Sequence, residues 1–254
     1  MMSDRHAEGL VRDLCITDPK DIDLDAIAHL LGVTVHYQPL KGCEALIVGS
    51  GQRAIVKINS DSSPERQRFS LGHELGHWHY HKGKMLCCAQ DDIEVDARLA
   101  RETELTADNY SASLLMPSHL FRPALAAKKR ITWKTIKELA GDFRCSPLAT
   151  VLRVVDLNAA PVMFVMLRSG RRAWFRGARD IHSQWFPLDS PDTDSFAFEL
   201  AFNPATTAAG PHKVQASSWF DRRPSDRLEL IEDSIRMGDS VYSLLTLEAD
   251  EFQA

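Results

Sequence analysis

The chain has 254 residues, 44% of them hydrophobic and 26% charged, with a formal net charge of -5. That composition is ordinary for a globular protein of one or two domains. It excludes a chain-wide affinity for nucleic acid or membrane surfaces, and the longest apolar run, Ala159–Leu167, falls well short of the roughly 18 residues of a membrane span.

Residues 5–15 predict a short helix with Leu10, Val11, Leu14 and Cys15 on one side. Asp23–Gly32 predicts a second helix, stopped by its glycine. VTVHYQ then reads as a strand. EALIVGSG and RAIVKIN are β-rich runs split by the turn signal GSGQ, which predicts a hairpin. SDSSPERQ supplies capping residues and places Pro64 in the first turn of a helix running to His81, with Gly83 as its stop. Residues 84–91 read as loop. A long helix follows from Ile93 to Met116, ended by Pro117.

Residues 118–158 are helical again, around TWKTIKELAGDFRCSPLATVLRVVDL. From Pro161 the texture becomes β. VMFVML, RRAWFRG, VQASSWF, RLELIEDSIRM and SVYSLLTLE are short β-type runs, with turn signals at Ser169–Gly170 and Gly238–Asp239 and a loop over Pro187–Ser195. The pattern predicts an α+β protein in three parts: residues 1–120, a helical module over 121–158, and a β-rich domain over 159–254.

The segment RFSLGHELGHWHYH (Arg68–His81) holds His73-Glu74-Leu75-Gly76-His77, which fits H-E-x-x-H. On a helix, residues four apart share a face about 6 Å apart along the axis. His73 and His77 can then reach one ion at about 2.0–2.1 Å. Glu74 is rotated by about 100°. It suits contact with a water rather than direct ligation, the general-base position of zinc peptidases.

Such sites take a third protein ligand. The position ten residues after His73 is Gly83, so a third histidine there is excluded. His81 lies about 12 Å along the axis from His73 and cannot share its ion. His79 and His81 read as a polar cluster at the helix end. Among Glu94, Glu102 and Glu104, the last lies on a face of small residues, Ala97, Ala100, Ala107 and Ser111, which allows another helix to approach. Glu102, with Arg98 and Thr106 four residues away on either side, reads as a solvent-facing carboxylate, and Glu94 suits a helix start. Glu104 is therefore the candidate third ligand. Asp108, one turn on, is the candidate partner for a histidine's second nitrogen.

His73, His77 and Glu104 plus water predict a Zn²⁺ site, and a set containing a carboxylate also accepts Mn²⁺. Glu74 is the expected base for attack on a peptide carbonyl. RAIVKIN is either a strand that pairs with an extended substrate or an interior strand. Neither Tyr110 nor His119 is singled out as an oxyanion stabiliser.

INSDSSPERQRFSLGHELGHWHYH followed by ETELTADNYSASLLMP resembles the ImmA/IrrE metallopeptidases. Arg68, Phe69, Ser70, His73, Glu74, Gly76, His77 and His81 match the first half of the family pattern. Glu104, Ala107, Asp108, Tyr110, Ala112, Leu114, Leu115, Met116 and Pro117 match the second. Ser111 stands where the family often has Ala. The resemblance spans about residues 20–157. It implies a gluzincin-like, zincin-type peptidase domain with His73, His77 and Glu104 as metal ligands and Glu74 as base. It also implies a protein substrate, typically a transcriptional repressor cleaved under phage, mobile-element or stress control.

IKELAGDFRCSPLATVLRVVDL resembles a helix-turn-helix with its turn at Gly141. Residues 121–158 carry Arg122, Lys128, Lys129, Arg130, Lys134, Lys137, Arg144 and Arg153 against Glu138, Asp142 and Asp156, the footprint DNA binding would leave. Only Thr150 and Arg153 of the second helix look able to read base edges. A packing module is the plainer reading, and DNA is not favoured as a partner.

The five cysteines, Cys15, Cys43, Cys87, Cys88 and Cys145, are odd in number and irregularly spaced. This argues for a reducing, cytoplasmic setting rather than a disulfide framework, and the N-terminus lacks the apolar core of a signal peptide. The adjacent Cys87 and Cys88 lack the spacing of a metal knuckle or redox pair. Arg171, Arg172, Arg176 and Arg179 read as a solvated basic edge, and Trp174, Trp185 and Trp219 as packing residues. Two further classes compete with the peptidase: a DNA-binding regulator with a silent metal site, and a toxin–antitoxin component that binds peptides without turnover.

Overall fold

The computed structural model describes residues 2–81, 97–203, 205–222 and 225–252. Among these the protein is α+β, with eight α-helices and two sheets. Its chain divides into two compact units, one of Met1–Leu125 with Ala140–Ser146 and one of Ala126–Leu139 with Pro147–Ala254. No described helix is long and apolar enough to cross a membrane.

The first unit opens with α1 (Met2–Asp13) and α2 (Leu24–Leu30). The side chain of Asp23 caps α2 by accepting from the N–H groups of Asp25 and Ala26. β1 (Val33–Gln38), β2 (Ala45–Ser50) and β3 (Arg53–Asn59) form a three-stranded sheet in the order β1-β3-β2. β2 and β3 make the expected hairpin, with Ser50 opposite Arg53. β1 lies parallel to β3 on its other side. RAIVKIN is thus an interior strand whose two edges are both paired, and it has no free edge for a substrate.

The period-2 pattern of β3 sets the layers. Ala54, Val56 and Ile58 are buried, while Arg53, Ile55 and Lys57 face outward. α3 (Pro64–His81) packs on this hairpin. Leu71, Leu75 and Trp78 are buried, and the Trp78 indole donates to the carbonyl of Leu31 at 3.0 Å. Gly49 of β2 sits directly against that indole, where a Cβ would lie 2.4 Å from the ring.

α4 (Ala97–Leu115) is the second long helix, followed by α5 (Ser118–Ala126). The predicted stop at Gly83, the loop 84–91 with Cys87 and Cys88, Glu94 and the expected helix start at Ile93 lie outside the described residues. Glu8 of α1 accepts from the backbone N–H of Ser118 at 2.9 Å and from its hydroxyl at 2.5 Å, which satisfies the start of α5.

α6 (Trp133–Phe143) and α7 (Pro147–Asp156) complete the helical stretch. The turn between them is not at Gly141, which lies inside α6. It falls after Phe143, where Arg144 takes a left-handed backbone with φ 51°. The side chain of Arg144 donates to the carbonyls of Lys20 and Ile22, which holds this non-glycine residue in a conformation it would otherwise disfavour. Thr150 and Arg153 of α7 are buried, 0% and 5% exposed. Neither can reach a base edge, so the sequence-based assignment of a reading face to these two residues fails.

The second unit is built on an antiparallel sheet of β4 (Val162–Arg168), β5 (Arg171–Gly177), β6 (Ala208–Gln215), β7 (Glu229–Met237) and β8 (Ser240–Thr246) in the order β5-β4-β8-β7-β6. Met163, Val165, Leu167, Val241 and Leu245 pack with Leu200 of α8 (Phe196–Phe202) and with Trp185 and Trp219. On the opposite face, the Trp133 ring meets Phe164 and Tyr242 edge-on. The region is β-rich as expected, but α8 was not anticipated, and VQASSWF leaves the strand after Gln215 for a 3-10 turn, Ala216–Ser218.

Glu232 is fully buried in this unit. Its carboxylate accepts from the Ser195 hydroxyl, the Ala197 N–H, the Trp219 indole and the Ser234 hydroxyl, at 2.7–3.1 Å. Such a set of donors is what a buried carboxylate requires.

Candidate metal centre

His73 and His77 lie one turn apart on α3, as the motif requires, with their Nε2 atoms 2.9 Å apart. Glu104 arrives from α4. Its two carboxylate oxygens split between the rings, Oε2 at 3.3 Å from His73 Nε2 and Oε1 at 3.3 Å from His77 Nε2. These three residues are the one grouping of potential metal ligands found among the described residues. Glu102 and Asp108 are not part of it, and Glu102 is exposed.

Asp108, one turn after Glu104, meets the other side of His73, with Oδ1 2.8 Å from Nδ1. A carboxylate can only accept, so Nδ1 carries the hydrogen, and in the neutral ring the lone pair is then at Nε2, toward His77 and Glu104. Burial pulls the His73 ring toward its neutral form. The Asp108 bond and the carboxylates of Glu74, Asp108 and Glu104 outweigh it, and the pKa is raised. A bound cation would relieve the repulsion that such a group of acids generates. Glu74 is buried, 3% exposed, one residue on from His73.

The residues fit a divalent ion on chemical and geometric grounds. Two imidazole nitrogens and a carboxylate form a donor set used by zinc sites. Ligands at about 2.1 Å around a tetrahedral centre lie about 3.4 Å apart; both carboxylate-to-ring distances are 3.3 Å, and the two Nε2 atoms are closer, at 2.9 Å.

The approach of the two helices has a local cause. Gly72 and Gly76 on α3 face Ser111 and Ala107 on α4. A Cβ at Gly76 would lie 3.0 Å from the Ala107 Cα, and one at Gly72 would lie 2.5 Å from the Ser111 Oγ. Of the small residues around Glu104, Ala107 and Ser111 make this contact, as expected. The matching glycines, Gly72 and Gly76, are the other half of the seam, and their four-residue spacing is legible in the sequence. The Ser111 hydroxyl, fully buried, donates to the carbonyl of Phe69 at 2.8 Å.

His79 is not part of the grouping of His73, His77 and Glu104. Its ring stacks on Tyr110 at 5.4 Å and meets His6 and Tyr80 at 4.8 Å each. It belongs to an aromatic cluster between helices rather than to a polar helix end. Burial first, and then the neighbouring Tyr80, push the Tyr110 phenol up to about 12. The Nδ1 of His119 is buried without a hydrogen-bond partner.

Residues 28–154 match the sequence profile of the IrrE N-terminal-like domain, a peptidase family. The radiation response metalloprotease IrrE of Deinococcus deserti is 28% identical over 152 residues, 59% of this chain and 53% of that protein. Its namesake from Deinococcus radiodurans is 25% identical over 161 residues, 61% of this chain and 46% of that protein. The matching segment thus spans about half the length of each relative. A solved structure of a Mycobacterium tuberculosis transcriptional regulator shares the fold, with a TM-score of 0.65 at 12% identity over 96% of this chain and 76% of that one. With half its length matched by the profile, the chain belongs to the family of the IrrE N-terminal-like domain, the ImmA/IrrE metallopeptidases.

Proposed function

We propose that the protein is a zinc-dependent endopeptidase of zincin type that cleaves a specific cytoplasmic protein, with a transcriptional repressor as the substrate class the family resemblance suggests. The observation that carries this reading is the Glu104 carboxylate within 3.3 Å of both motif rings, with Glu74 buried beside them. His73, His77 and Glu104 would hold the ion, Zn²⁺ being preferred and Mn²⁺ also suited to the set. When bound, the ion supplies an acidified water and a Lewis acid for the scissile carbonyl.

This chain's residues do the remaining work. Asp108 holds the His73 proton at Nδ1 and so fixes the ring's orientation. The Glu74 carboxylate takes a proton from the attacking water and delivers it to the leaving amine nitrogen. An extended substrate pairs with β2, whose outer edge has no strand partner among the described residues. β2 is favoured over β1 because Gly49 sits against Trp78, the residue after His77. The helical stretch and the β-rich domain, read as a helix-turn-helix-like module over 121–158 and a docking or sensing part over 159–254, would select the substrate.

A DNA-binding regulator remains the second reading. The fold neighbour is a transcriptional regulator, and Lys129, Arg130, Lys134 and Lys137 are exposed. The burial of Thr150 and Arg153 weighs against it.

Co-expression with candidate repressors encoded nearby tests the proposal. Wild type should remove one full-length protein and leave two fragments, while Glu74→Gln should bind metal and leave the protein whole. Equal loss with both forms would end the peptidase reading. Salt-dependent duplex binding by both forms, without cleavage, would favour the regulator.

A further inference from the structure

We infer that Ser111 is the positioning residue that sets the height of Glu104 over His73 and His77, by fastening α4 to α3 at the carbonyl of Phe69. The inference rests on the metal site proposed above.

The seam between the two helices is made of small residues. Gly72 meets Ser111 and Gly76 meets Ala107, so the helices run antiparallel with their backbones almost touching. A seam of glycine and alanine sets how close two helices come. It leaves the sliding of one helix along the other to the contacts around the seam: Tyr110 against His79 and Tyr80 toward the end of α3, and the Ser111 hydroxyl at the turn that carries Phe69. Sliding matters here. One residue of helical rise is about 1.5 Å, and the carboxylate reaches both rings only at 3.3 Å. A shift of that size would take Glu104 off one ring.

The Ser111 hydroxyl opposes such a shift. It is fully buried, and its hydrogen bond to the Phe69 oxygen is 2.8 Å long. Phe69 is one turn before His73, so its carbonyl also accepts the His73 N–H within α3. A carbonyl has two lone pairs and takes both donors. Ser111 therefore bonds to the very turn that presents His73. Glu104 lies seven residues away on the same face of α4, about 10.5 Å along the axis. The helix between them acts as a fixed rod. Unlike the ligand contacts, this bond needs no ion, so it holds the site in register before metal arrives.

The test uses the full-length protein, freed of metal, with Zn²⁺ alone and Co²⁺ alone as probes in competition with a chelator. Four variants are compared with wild type: Ser111→Ala, Ser111→Gly, Thr106→Ala and Glu104→Gln. Thr106 is the control, because its hydroxyl bonds to the Glu102 carbonyl within α4 itself. Loss of the Ser111 hydroxyl should weaken Zn²⁺ binding about five- to tenfold. It should also alter the visible spectrum of the Co²⁺-loaded protein, while the melting temperature of the metal-free form falls only slightly. Thr106→Ala should bind as wild type does. Alanine matches the family pattern at this position, so Ser111→Ala should fold, and Ser111→Gly repeats the deletion without a methyl group against Gly72.

Wild-type affinity and an unchanged Co²⁺ spectrum in both Ser111 variants would overturn the inference and leave the metal site standing. A lowered melting temperature with unchanged affinity would reduce Ser111 to a packing residue and equally overturn it. Failure of wild type itself to bind either ion, with Glu104→Gln no different, would remove the metal site and this inference together.

Discussion

Oδ1 of Asp108 lies 2.8 Å from Nδ1 of His73, on the side of the ring opposite Glu104. In the proposed metal site this contact would hold the tautomer that leaves Nε2 free to bind. Asp108→Ala should weaken metal binding about 10- to 100-fold and leave the far-ultraviolet circular dichroism unchanged, since the Asp108 side chain is about half exposed. Asp108→Asn should fall between the two. Chelator competition measures all three, and equal affinities would show that the ring needs no such partner.

Gly76 fixes the closeness of α3 and α4. An alanine there would place its Cβ 3.0 Å from the Ala107 Cα and 3.2 Å from the Ala107 carbonyl oxygen. Both are backbone atoms, so α4 must give way by a few tenths of an ångström. Gly76→Ala should lose about 1–3 kcal/mol of stability from overpacking and bind metal more weakly. Thermal melts of the metal-free form and a zinc titration check the two effects separately.

Alkali should unfold the protein through Tyr110. Burial and Tyr80 raise its phenol to about 12 from an ordinary 10.0. A group whose folded pKa is raised gives its full stabilisation below the unfolded value and loses it as pH climbs through the folded one. Stability should therefore decline from pH 10 to 12, by about 2–3 kcal/mol from this residue. Tyr37 moves the same way, raised to about 12 by partial burial and then by Asp25. Native phenolate absorbance should lag that of the urea-unfolded chain, and Tyr110→Phe should flatten the decline.

Asp233 accepts the backbone N–H of Trp133 at 2.7 Å, at the start of α6. Burial raises its pKa, against the opposing pull of that N–H and of His212 and Lys137. The raised value means that its stabilisation is present at acid pH and is lost as pH rises through the folded pKa. Asp233→Asn keeps an acceptor without the charge. It should match or exceed wild type at pH 7 and lose that advantage near pH 3. Asp233→Ala strands the N–H and should cost about 1–2 kcal/mol at both pH values. Denaturant melts at the two pH values decide between these outcomes.

The features legible in the sequence were local. Pro64–His81 carries its own capping and periodicity, and Glu104 was distinguished by the small residues on its face of α4. What escaped depends on contacts distant in sequence. The parallel placement of β1 beside β3 joins two strands that β2 separates in the chain, a pairing that no turn signal announces. The turn at Arg144 displaced the one expected at Gly141 because side-chain bonds to Lys20 and Ile22 hold the arginine's backbone. α8 is the apolar segment FAFELAF, too uniform to show a helical stripe. Its one local cue, the Ser195 cap, gains its meaning from Glu232, 37 residues later.

That carboxylate has a mechanical corollary. Ser195 and Ala197, Trp219, and Ser234 reach Glu232 from three stretches of chain, and although the Ala197 N–H and the Ser234 hydroxyl also meet the hydroxyls of Ser195 and Ser243, the carboxylate is the one acceptor common to all three stretches. A protease nick that released β7 would therefore loosen α8 and the Trp219 turn in the same event. Residues 195–234 should survive limited digestion together or disappear together, without a lasting intermediate.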